Sequence, residues 1–232
     1  MSEFVLVPGA WLGAWAWDAV VRDLRAAGHG AHPLTLTGLA ERRGTPAGQA
    51  THVQDVVDAV VGADLRDVVL VGHSYSGIPV GQAAERIGDR LTRVVFVDSN
   101  VPVHGESFLS AWPDGRAAVE AALAAHDGFW PPPSAAEYAG QGLTDAQVER
   151  IVAGATPHPG ATLTEPAVLD HPLGELPALY VKCLLDGAEP GPDVTALLQH
   201  DTWRLAELDT GHWPMLSQPH ELSRLLLEAA TR

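Results

Sequence analysis

Cysteine and lysine are almost missing from this 232-residue chain, with Cys183 and Lys182 the only residues of their kinds. A single cysteine excludes an internal disulfide and speaks against any cysteine-built metal centre. Basic side chains are scarce in general: 14 Lys and Arg stand against 29 Asp and Glu, a formal net charge of −15. Phosphate backbones and anionic lipids are held by clustered Lys and Arg, so neither a nucleic acid nor a membrane is an expected partner. No apolar run approaches the roughly 18 residues of a membrane span. Met1-Ser2-Glu3-Phe4 leads into an apolar segment without a basic stretch in front of it, so a soluble, cytoplasmic protein is expected. With 46% hydrophobic residues the chain can bury one good-sized core, and a single domain over 1–232 follows.

Short apolar segments alternate with amphipathic ones, the pattern of a parallel sheet covered on both faces. Strands are expected at Phe4 to Val7, His32 to Leu36, Asp67 to Val71, Arg93 to Val97, Ala178 to Leu184 and Trp203 to Leu208. Trp17, Val20, Val21 and Leu24 recur at helical spacing, and Gly28 stands where such a helix stops. Thr51 with Gln54 reads as a capping box opening a helix striped by Val53, Val56, Val57 and Val60. A further helix is expected from Pro79 to Ile87, and Pro219 starts a last one with Leu222, Leu225 and Leu226 on one face. Residues 100 to 175 interrupt the alternation with Pro131-Pro132-Pro133, a helix at Arg116 to Ala125 and another opened by Thr144 and Gln147. This stretch reads as an inserted helical cap, or as plain filler along one side of the sheet. There is no internal repeat.

The chemistry begins at Gly72-His73-Ser74-Tyr75-Ser76-Gly77, between a strand and a helix. A sharp turn there lifts a serine hydroxyl into the crevice at the carboxyl edge of the sheet, and needs small neighbours to do so. The usual pattern is G-x-S-x-G, with Ser76 here in place of the last glycine. A serine hydroxyl needs a base, and the base needs an acid to hold its tautomer. His212, in Gly211-His212-Trp213-Pro214 after the last strand, is the base expected from its position. Asp186, after the preceding strand, is the acid expected, with Asp98 after Val97 as its rival. Oxyanion donors are assigned to the backbone N–H groups of Tyr75 and of Ala10, in the turn Pro8-Gly9-Ala10-Trp11.

The opening Phe4-Val-Leu-Val-Pro-Gly-Ala-Trp-Leu-Gly-Ala-Trp-Ala-Trp17 resembles that of the methylesterase and hydroxynitrile-lyase branch of the α/β-hydrolases. Leu36 to Arg42, Thr51 to Val56, Val71 to Tyr75, Val97 to Pro102 and Gly211 to Leu216 resemble blocks of the same branch, in order and in approximate spacing. The resemblance implies an α/β-hydrolase fold reduced to about six mostly parallel strands, a helical cap, and chemistry on small esters without a cofactor. It places Ser74, Asp186 and His212 on triad positions, with Ala10 and Tyr75 on oxyanion positions. The branch commonly has His-Gly where this chain has Pro8-Gly9, which alters the surroundings of the oxyanion loop. Its lyases have a Thr and a Lys where this chain has Gly9 and Trp213, so the lyase activity is set aside.

The expected function is a serine carboxylesterase on small or aromatic esters, with no metal and no organic cofactor. Trp11, Trp112, Phe129, Trp130 and Trp213 are candidates for an apolar substrate wall, each equally open to a packing role. His126 and His158 could handle protons but are expected to be solvated loop residues. A thioesterase, a biosynthetic tailoring enzyme on the same scaffold and a non-catalytic small-molecule receptor are the alternatives. A homodimer is compatible with the sequence.

Overall fold

The computed structural model describes residues 1–231. Six parallel strands form the main sheet: β1 (Glu3–Val7), β2 (Gly30–Pro33), β3 (Val68–His73), β4 (Leu91–Val97), β7 (Ala178–Cys183) and β8 (Trp203–Leu208). Their order is β2-β1-β3-β4-β7-β8. Two short strands, β5 (Phe129–Trp130) and β6 (His158–Pro159), form a separate antiparallel ribbon that the sequence reading did not anticipate. β2 starts two residues and ends three residues earlier than expected, although Leu34 still donates its N–H to the Leu6 carbonyl. A parallel sheet of six strands is as expected.

Alternation along the strands divides the core. Phe4, Leu6, Val69, Val71 and Val95 face α1 (Asp18–Ala26), with Trp17, Val20 and Leu24 buried against them. Val5, Leu70, Val94 and Phe96 face the opposite way, towards α2 (Gln49–Gly62) and α3 (Gly77–Arg86). α2 starts before Thr51: Gly48 is its N-cap, and the Thr51 hydroxyl accepts the Gly48 N–H from inside the first turn. The earlier start is held by the Glu165 carboxylate, which accepts the Gln49 N–H at 2.6 Å and gains from the positive end of the helix. Between β4 and β7 come α4 (Pro113–Ala125), α5 (Asp145–Gly154) and α6 (Ala161–Thr164), α5 opening at Thr144 with Gln147 in a capping box as read. α7 (Pro192–Leu197), α8 (Pro214–Ser217) and α9 (Pro219–Thr231) complete the chain, and α9 packs beside α1.

The chain runs from β1 outward to β2, then crosses back to β3 on the other side of β1. The carboxyl ends of β1 and β3 therefore diverge into loops on opposite faces, leaving a crevice at the switch point. Among the described residues no helix is long and apolar enough to cross a membrane.

Phe96 lies fully buried at the middle of the sheet, stacked on Trp203 with ring centroids 5.2 Å apart. Phe96→Ala is expected to lower unfolding free energy by about 3–5 kcal/mol, measured by urea denaturation.

Candidate active site

Ser74, Ala10, Asp98, Asp186 and His212 all lie just beyond the carboxyl ends of strands, respectively β3, β1, β4, β7 and β8. Ser74 has φ +55, a left-handed conformation unusual for a residue with a side chain. Close approach is met by Gly77, where a Cβ would run into the Asn100 carbonyl and the Ser99 side chain. Ser76 has a different task, which the bare motif did not reveal. Its buried hydroxyl accepts the His73 N–H at 2.8 Å and can donate to the Val7 carbonyl at 2.8 Å, tying the end of β3 to the end of β1.

His212 Nε2 lies 2.8 Å from Ser74 Oγ. Its Nδ1 faces two carboxylates, Asp98 Oδ2 at 2.7 Å and Asp186 Oδ2 at 3.2 Å. The Asp98 side chain is 2% exposed and that of Asp186 42%. A proton on Nδ1 satisfies the carboxylates and leaves Nε2 free to accept the serine proton. Burial acts to lower the His212 pKa, but hydrogen bonds and charge from Asp186 and Asp98 outweigh it and raise it to about 9. The hydrogen bond with His212 holds the Asp186 carboxyl well below the usual carboxylate range. The sole lysine reaches this cluster from β7: Lys182 Nζ donates to Asp98 Oδ1 at 2.7 Å and to the Asp186 carbonyl at 2.9 Å. Strand alternation foretold nothing of that contact.

The imidazole is held at its backbone too, where the His212 N–H donates to Gln141 Oε1 at 2.6 Å. The His212 carbonyl accepts from His73 Nε2 at 2.6 Å, while His73 Nδ1 accepts the Gly9 N–H at 3.2 Å. Those contacts define a neutral His73, and burial followed by the charge of His212 keeps its pKa well below the ordinary value. On the other side of Ala10, the Trp11 N–H donates to His158 Nδ1 at 3.3 Å, with Trp11 at φ +66. The amides of Gly9 and Trp11 are thus occupied by histidines. The Ala10 N–H between them has no protein acceptor among the described residues. Tyr75 follows Ser74 in the first turn of a helical segment, where amides lack acceptors within the helix.

His158 is no solvated loop residue. β6 carries it into the interior, fully buried, with its ring 4.6 Å from that of Tyr75 and its Nε2 2.8 Å from the Thr162 hydroxyl. Burial lowers its pKa well below the ordinary value. His126 is exposed. Of the five aromatic candidates, Trp112 and Trp130 gather at Phe108, and Trp11 packs on Trp130 with centroids 4.1 Å apart. Trp213 instead packs on Tyr138 at 4.7 Å within the core beside α1. Phe129 pairs with Pro159 in the ribbon. A cavity of about 280 Å³ opens beside His212 and is lined by Asp98, Asn100, Tyr180, Lys182 and Asp186.

The pattern of an alpha/beta hydrolase family matches residues 4–225. The chain belongs to the alpha/beta hydrolase family. Among curated members, this alpha/beta hydrolase is 30% identical to a carbendazim hydrolyzing esterase of Nocardioides, over 97% of this chain and 98% of that one. It is 26% identical to methylesterase 10 of Arabidopsis thaliana, over 100% and 93% of the two chains. In structure it is similar to an extracellular alpha/beta-hydrolase of a Paenibacillus species, described as sharing homology with tobacco salicylic acid binding protein 2. The TM-score is 0.87 at 24% identity, over 99% of both chains. Polyneuridine aldehyde esterase shares the fold with TM-score 0.76 at 21% identity, over 98% of both.

Ser76→Ala strands the buried His73 N–H and is expected to cost about 1–3 kcal/mol of stability. Thermal and urea unfolding of the variant measure it, and an unchanged midpoint would show that the latch carries no weight.

Proposed function

We propose that this alpha/beta hydrolase is a carboxylesterase that cleaves small or aromatic esters through a covalent acyl-enzyme. Ser74 Oγ attacks the ester carbonyl while His212 Nε2 takes its proton. The two carboxylates facing His212 Nδ1, Asp98 and Asp186, between them keep the imidazole in the tautomer that can accept and balance the charge it acquires. Charge that develops on the carbonyl oxygen is received by the Ala10 and Tyr75 amides. His212 returns the proton to the leaving alcohol, and a water activated by the same nitrogen releases the acid. The observation that carries this reading is the 2.8 Å approach of His212 Nε2 to a serine held at φ +55.

The segment between β4 and β7 acts as the cap in this reading. Trp130 and Trp112, together with Trp11 of the oxyanion loop, supply an apolar wall of mutually tilted rings that favours an aromatic substituent on the ester. The esterase names of the curated relatives agree with an ester as substrate.

Hydrolysis of p-nitrophenyl acetate and butyrate by purified protein tests this directly. Ser74→Ala is expected to reduce kcat by about 10⁴–10⁶. Equal rates in both proteins would sink the proposal, and tight binding without turnover would favour a receptor. The base works only when neutral, and its pKa is raised to about 9. The wild-type kcat/KM should therefore fall as pH is lowered through an inflection well above the ordinary histidine value. An inflection at or below 6.5 would contradict the arrangement.

A further inference from the structure

We infer that the two carboxylates on His212 divide the work, Asp98 orienting the imidazole as the buried acid and Asp186 balancing the charge it acquires, with Lys182 as the residue that positions Asp98. The inference rests on the esterase reading and assigns roles within that site.

Geometry separates the two acids. Asp98 Oδ2 is the nearer to Nδ1, 2.7 Å against 3.2 Å, and its side chain is almost wholly removed from water. A hydrogen bond to a carboxylate gains strength in such surroundings, whereas a half-exposed one is screened. The Asp98 carboxylate also cannot turn. Its Oδ1 accepts from Lys182 Nζ at 2.7 Å and from the Cys183 N–H at 3.1 Å, which leaves Oδ2 directed at His212. Asp98 holds φ +41, a conformation that costs energy and persists where the surroundings over-determine it. Asp186 has no comparable clamp: Lys182 binds its backbone carbonyl, and Gly187 follows at φ +93 in an exposed turn.

Charge assigns the second role. Asp98 and Lys182 cancel as a buried pair, so a proton arriving on His212 is unbalanced unless another anion is close. Asp186 is that anion. The other groups around the ring do not supply one: His73 from β3 is neutral, Gln141 is uncharged, and Lys182 from β7 is a cation already engaged. Asp193 of α7 shares the cavity beside His212 but forms no ion pair with it among the described residues.

The test is the pH dependence of p-nitrophenyl acetate hydrolysis by wild type, Asp98→Asn, Asp186→Asn and Ser74→Ala, together with the low-field imidazole N–H resonance in proton NMR. Asp186→Asn should lose less than about 10³-fold in kcat on the high-pH plateau, well short of the loss in Asp98→Asn, while its inflection moves to lower pH, as expected when a charge-balancing anion is removed. Its low-field resonance should remain. Asp98→Asn should lose about 10⁴-fold in kcat, because an amide can stabilise the wrong tautomer, and should lose the resonance. Where Asp98→Asn does not fold, Asp186→Asn decides alone. A loss of 10³-fold or more in Asp186→Asn, disappearance of its resonance or an unmoved inflection would overturn the division. Ser74→Ala with wild-type turnover would instead sink the esterase reading, and the resonances would still report which carboxylate holds His212.

Discussion

The arrangement depends on one residue with a side chain being kept in left-handed backbone geometry at the end of β3. Ser74 adopts φ +55 only because its neighbours leave no cheaper choice. Gly77 allows the Asn100 carbonyl to pass close by, and the Asn100 N–H in turn donates to the Ser74 carbonyl at 3.2 Å. The Ser76 hydroxyl fastens the start of the turn to β1. Strain of this kind costs about 1–3 kcal/mol, and it is stored where the serine must project from the sheet. The same latch joins β1 to β3, so the loop carrying Ala10 is referenced to Ser74.

Histidines set the rest of the geometry without carrying charge. His73 and His158 accept the amides on either side of Ala10, and both are held neutral by burial. Protonation would destroy either acceptor, and burial disfavours it. His158 comes from the ribbon that also carries Trp130, and its contact with the Trp11 N–H couples the segment between β4 and β7 to the loop carrying Ala10. Lys182 and Asp98 form the one buried lysine–carboxylate pair among the described residues. Such a pair contributes little net stability, although removing one partner costs about 3–5 kcal/mol. A chain with 29 acidic residues places its sole lysine here, where it directs a carboxylate.

Much of this was legible in the sequence. Apolar segments of strand length and helical stripes marked the six-stranded sheet and its layers, because burial on alternating faces writes a period directly into the residues. Ser74 and His212 stood out through small neighbours and chain order. Other features depend on distances across the sheet. Asp98 and Asp186 each follow a strand, and only the pairing of Val97 with Val181 brings both carboxylates to one imidazole. Thr51 has the composition of a cap but sits inside the helix, because Glu165 from a distant segment takes the Gln49 amide. His158 looked like a loop residue, since a two-residue strand carries no periodic signal. Ser76 read as a weakened motif and is a hydrogen-bonding latch.

The central claim is that Ser74 is an activated nucleophile, alone among the serines. Incubation with a fluorophosphonate probe followed by peptide mass spectrometry tests it without any assumption about the natural substrate. Stoichiometric modification confined to the peptide carrying Ser74 is the predicted result. No modification, or labelling spread over other serines, would contradict the account.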